Sequence, residues 1–202
     1  MMNFLTSEKA ALIFTALYTT VFSAYFIVNL NIEFLGYIGV IVLVFALLYG
    51  TLYETRIPAS VLWGISVCGL LHMLGGSVPV DGDILYTWRM VPLFDGGGEF
   101  YIFKYDQFVH VYLYAVVALL FLHLLRNYLG QKQPPLLIGF IALMAAQGVG
   151  AVNEMIEFIV VLLVPDNGVG GYYNTLLDIV FNFIGATLAI TGFYLFHVNA
   201  EK

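Results

Sequence analysis

Charged residues are scarce in this chain. Asp, Glu, Lys and Arg make up 10% of its 202 residues, against about 25% in a typical soluble protein. That shortage excludes an ordinary soluble domain, and so do the 61% hydrophobic content and the mean hydropathy of +0.94. Basic residues are the fewest: 7 Lys and Arg against 13 Asp and Glu, a net charge of −6. With no basic patch to neutralise phosphates, a nucleic-acid partner is excluded. Cysteine occurs once, as Cys68. A lone cysteine rules out an internal disulfide and any Cys-rich metal site. HExxH, GxSxG and P-loop signatures are missing, as are repeats and low-complexity tracts.

What remains is a set of long apolar runs. A helix crosses the bilayer in roughly 20 residues, and six runs reach that length: Lys9 to Leu30, Phe34 to Leu52, Ala59 to Val78, Tyr105 to Arg126, Leu136 to Val164 and Tyr172 to His197. Pro58 and Pro134–Pro135 punctuate the third and fifth. The first run is too long for the apolar stretch of a cleaved signal. The expectation is an all-α, polytopic membrane protein, a six-helix bundle forming one transmembrane domain over residues 1–202. Six spans place both termini on one side, together with Lys9, Arg56, Arg126, Lys132 and Lys202. Only Arg89 and Lys104 fall opposite, beside Glu33, Asp81, Asp83, Asp95, Glu99 and Asp166. The positive-inside rule then makes the termini cytoplasmic. In a bacterium this is a multi-pass inner (plasma) membrane protein, and the 78–105 connection faces the periplasm. That connection is the one long loop. Its aromatic, interfacial middle (Ile84 to Phe94) and its "DGGGEF" turn suit either a wet connector or a lid. "DGD" at 81–83 is too short for a calcium loop.

Ionisable residues inside the spans carry the functional signal. "NEMIEF" (153–158) keeps Glu154 and Glu157 one helical turn apart in an apolar run. His72 lies near the outer end of the third span, Asp106 and His110 in the first turns of the fourth, and Asp178 and Asn182 early in the sixth. At about 1.5 Å rise per residue, all fall in one layer within roughly 15 Å of the outer surface. Spacings of three and four residues put Asp106 with His110, Glu154 with Glu157, and Asp178 with Asn182 on shared helix faces. Spans one and two lack a mid-span charge and read as packing helices. His123, beside Arg126, and His197 read as ordinary placements near the cytoplasmic ends.

An acid at a helix centre costs about 2.5–3.5 kcal/mol on insertion scales. Four acids in one layer also repel, so some must be protonated or matched by cations. Two answers stand open. His72, Asp106, His110, Glu154, Glu157 and Asp178 form a mixed N/O set suited to a divalent metal (zinc, iron or manganese). The alternative is a metal-free, partly protonated hydrogen-bond network that fixes helix register.

"LLHMLGGS" (70–77), "YDQFVH" (105–110), "NEMIEF" and "LLDIVFNFIGA" (176–186) resemble the YjdF-like family of predicted bacterial inner-membrane proteins. The last three also resemble the broader VanZ-like group. The likeness covers roughly residues 65–190. It implies a membrane bundle with a polar site at His72, Asp106, His110, Glu154, Glu157, Asp178 and Asn182. Asn174 stands where that pattern carries an aspartate. The VanZ-like group's association with glycopeptide resistance implies envelope or lipid chemistry.

Three functions compete. The first is a metal-dependent enzyme that modifies a lipid or envelope substrate at the outer leaflet. Glu157 would be its general base, with Arg89, Lys104 and Asn182 as substrate contacts. The second is a non-catalytic subunit or scaffold docking a membrane-protein partner, and the third a proton or ion conductor. One-sided placement of the acids argues against conduction, which needs a path to both faces.

Overall fold

A computed structural model describes residues 6–98, 100–130, 133–164 and 167–197. Six helices carry the fold: α1 (Thr6–Val28), α2 (Ile32–Thr55), α3 (Ala59–Ser77), α4 (Tyr105–Leu129), α5 (Pro135–Leu163) and α6 (Tyr172–His197). Each is long and apolar enough to cross a membrane. Local chemistry sets their ends. The Asn31 side chain accepts from the Phe34 amide at 3.1 Å to cap α2. At the other end of α2, Arg56 turns into the left-handed region and its N–H returns to the Leu52 carbonyl. Proline precedes α3 (Pro58) and opens α5 (Pro135), where its missing N–H is harmless.

Between α3 and α4 the chain forms two small antiparallel hairpins, β1 (Pro79–Val80) with β2 (Asp83–Ile84) and β3 (Arg89–Asp95) with β4 (Tyr101–Lys104). Asp81 and Gly82, at φ 51° and 88°, make the tight turn of the first. "DGD" is therefore a hairpin turn. A short 3-10 segment, Leu85–Thr87, links the two hairpins. Of the "DGGGEF" turn, Gly97 and Gly98 take positive φ. Glu99 lies outside the described residues, as do Lys132, Asp166, Lys202 and the side chain of His197.

Helix α4 is the hub. Its contact with α6 is the most extensive in the molecule, and it also packs on α5 and α3, while α1 packs on α3. One core joins α4, α5 and α6 around the fully buried Tyr114, Ala118, Ala142 and Ala186. A second joins α1, α2 and α3 around Phe45, Leu52 and Leu62. Leu17, Val21, Leu47, Leu162 and Leu188 stand more than half exposed on the outer faces. Such a surface costs nothing in hydrocarbon and would be prohibitive in water.

Helices α4 and α6 approach closely because of Gly185, where a side chain would run into the Val111 backbone. The pair after His72 works similarly. A Cβ on Gly75 would strike the Tyr86 ring, and one on Gly76 the Phe34 ring.

Candidate functional site

Helices α4, α5 and α6 bring their ionisable groups together at the end of the bundle that carries the hairpins. His110 is the common member. Asp106, His110 and Asp178 each offer a ligand atom within 4.8 Å of the others, and so do His110, Glu154 and Glu157. The backbone spacing explains this. Asp106 and His110 share a face of α4, Glu154 and Glu157 a face of α5, and Gly185 lets α6 bring Asp178 and Asn182 against α4.

Polar contacts orient the set. The His110 Nδ1–H donates to Asn182 Oδ1 at 2.8 Å. That fixes the proton on Nδ1 and leaves the Nε2 lone pair 3.5 Å from Asp106 Oδ1. Asn174 Nδ2 donates to Asp178 Oδ2 at 2.6 Å and to Asp106 Oδ2 at 3.1 Å, while its Oδ1 accepts from Lys104 Nζ at 3.1 Å. An aspartate at 174 would add a further charge here, whereas the amide links one cation to two acids. Asn153 Nδ2 holds Glu157 Oε1 at 2.8 Å.

Several buried atoms in the cluster have no hydrogen-bond partner among the described residues: Asp178 Oδ1, both Glu154 carboxylate oxygens and Asn182 Nδ2. Asp178 and Asn182 are themselves fully buried. An unmatched buried acceptor is costly, and four carboxylates share this space. The donor set of imidazole and carboxylate fits a divalent ion, with the Asn182 contact orienting the histidine from behind.

Beside the cluster lies a cavity of about 410 Å³. Asp106, His110, Glu157, Lys104 and His72 line it; Glu154 and Asp178 do not. His72 falls in neither triad. Its Nδ1 accepts from the Tyr86 hydroxyl, which reaches down from the 3-10 segment. Burial pushes the Tyr86 phenol well above its ordinary value, so it stays a donor. The 78–105 connection thus roofs the cavity through Ile84, Tyr86 and Thr87. Arg89 is not brought to the site. It pairs with Asp95 at 3.4 Å on the exposed hairpin and covers the Tyr101 ring at 4.7 Å. His123 bonds the Thr55 carbonyl through Nε2 at 3.0 Å, far along the bundle.

Sequence reasoning missed part of this site. Helix α2, read as a packing helix, forms a cavity wall with Phe34, Tyr37, Ile41 and Val44. Glu33 accepts from the Gly168 amide at 2.9 Å and closes the rim. Asn153 could have been found, since it stands four residues before Glu157 on the same face. Tyr86 and Glu33 carry no local signal, because only tertiary contact makes them part of the site.

A family model described as "Predicted membrane protein (DUF2238)" matches residues 10–199. No curated protein and no solved structure matches the chain. This chain belongs to that family of membrane proteins.

Proposed function

From the premise of a multi-pass membrane protein of this family, we propose a divalent-metal centre that performs hydrolysis or group transfer on an envelope or lipid substrate. One observation carries the reading: a single buried imidazole, His110, is shared by two acidic triads whose carboxylates lack enough donors. The one free lone pair of His110 would serve a single ion, held either with Asp106 and Asp178 or with Glu154 and Glu157. Zinc, iron and manganese suit such ligands. Bound, the metal would supply a water acidic enough to ionise near neutral pH. Glu157 is the glutamate of the cluster that lines the cavity. In this reading Glu157 would act as the general base and then as the acid toward the leaving group.

Lys104 lines the same space and would contact the substrate. Asn182 serves the site by orienting His110, and Arg89 is assigned to the hairpin. His72, a candidate ligand by its position in the sequence, would serve the roof instead. With Nδ1 accepting from Tyr86, the neutral ring carries its proton on Nε2 and has no lone pair left for metal. The YjdF-like assignment, the bacterial inner membrane and cytoplasmic termini belong to the same reading, and the cluster then lies at the periplasmic face. The deciding measurement is elemental analysis of the purified, folded protein. Stoichiometric zinc, iron or manganese is expected. A folded preparation that takes up none of them on titration overturns the metal centre.

A further inference from the structure

The 410 Å³ cavity is polar at one end and apolar at the other. Glu33, Lys104, Asp106 and Glu157 stand at its outer end, and Val44, Phe45, Ile65 and Leu113 at its deep end. Its wall on α2 runs from Phe34 to Phe45, about 16 Å at the helical rise. That is half of the roughly 30 Å hydrocarbon core. The cavity therefore repeats the polarity profile of a single leaflet.

It is also open from the side. Helix α5 contributes only Asn153 and Glu157, both toward the polar end, so the deep half is walled by α2, α3 and α4 alone. No extensive contact joins α2 to α4 or to α5 among the described residues. Val44 lines the cavity and is still 37% exposed. The roof works the other way: Tyr86 on His72 and Glu33 on Gly168 tie the outer rim together.

We propose that this cavity takes one chain of an outer-leaflet lipid laterally, between α2 and α5, and presents an oxyanionic, phosphate-type head to the His110 cluster. This rests on the metal reading for the head alone. Three acids at the polar end would repel a phosphate unless a cation beside them offsets their charge, and among the described residues Lys104 is the one Lys or Arg lining the cavity. The chain site rests on shape and polarity.

The test uses the full chain in lipid nanodiscs with phosphatidylglycerol bearing a diazirine midway along one acyl chain, followed by photolysis and peptide mapping. Phe45, Ile65 and Val109 line the cavity but are buried from the outer surface, so bulk lipid cannot label them. Adducts at these residues are expected. Adducts confined to outward residues such as Leu17 and Leu162 overturn the proposal. Ile41→Trp should fill the trough, cutting labelling at Ile65 by about tenfold, the equivalent of ~1.4 kcal/mol. Labelling at Leu162 and metal content should hold. Val44→Phe, a milder filling, should give a smaller cut in the same sense. If neither variant lowers labelling at Ile65, the trough is not the chain site. Diazirine-bearing diacylglycerol, which lacks the phosphate, should label Ile65 more weakly than the phospholipid, and equal labelling removes the head assignment. The two readings fail separately. Interior labelling without metal leaves the lipid site and sinks the metal centre, and metal without interior labelling does the reverse.

Discussion

Replacing Gly185 by alanine asks whether the α4–α6 contact builds the site. A Cβ at this position would overlap the carbonyl oxygen of Val111, with the Val111 carbonyl carbon and Cα at 2.8 and 2.9 Å. These are backbone atoms inside a helix, so no rotamer change relieves the clash, and the helices must separate. Overpacking of this kind costs about 1–3 kcal/mol. Alanine in mid-helix would otherwise gain up to about 1 kcal/mol over glycine. Gly192, on the same helix, has nothing near its would-be Cβ, and Gly192→Ala is the matched control. We expect Gly192→Ala to be neutral or slightly stabilising and Gly185→Ala to be less stable than this control by about 1–3 kcal/mol, the overpacking cost alone, because the propensity gain is common to both. Separation would also stretch the 2.8 Å His110–Asn182 contact and the Asp106–Asp178 pairing through Asn174. Metal content should therefore fall in Gly185→Ala and hold in Gly192→Ala. Thermal unfolding in detergent and elemental analysis of the same samples read both effects. If Gly185→Ala melts with the control and keeps its metal, close approach of α4 and α6 does not position the cluster.

Asp178→Asn should lower metal content to about a tenth or less while raising metal-free stability, because it replaces a fully buried acid that has an unmatched oxygen by a neutral amide; unchanged metal binding would exclude Asp178 as a ligand. Tyr86→Phe removes the hydroxyl that meets His72 and should cost about 0.5–1.5 kcal/mol with metal retained, whereas metal loss on His72→Gln would return His72 to the ligand set. Arg89→Ala breaks an exposed pair with Asp95 and should change stability by no more than about 1 kcal/mol and metal content not at all, as calorimetry and elemental analysis would show. For orientation, in a Cys68→Ser background an impermeant maleimide should label Asp83→Cys from outside intact cells and leave Glu54→Cys unlabelled; the reverse pattern inverts the topology.

The six helices were legible in the sequence because bilayer thickness acts on local composition. Twenty apolar residues in a row must be a helix, and Pro58 and Pro135 mark where two of them begin. That the acids of α4, α5 and α6 sit toward one end of the bundle was legible too, since rise per residue converts position into height along a helix. Which faces meet was not. Spacing pairs Asp106 with His110 and Glu154 with Glu157, but no local rule says that His110 joins both pairs, that His72 turns to Tyr86, or that Arg89 stays on its hairpin. Those outcomes depend on helix rotation, and rotation follows from packing between distant segments, such as Gly185 on Val111 or Gly75 beneath Tyr86. A stripe of mixed small and apolar residues, as on α2, reads alike whether it buries a neighbour or walls a cavity. Only the space that other helices leave beside it decides.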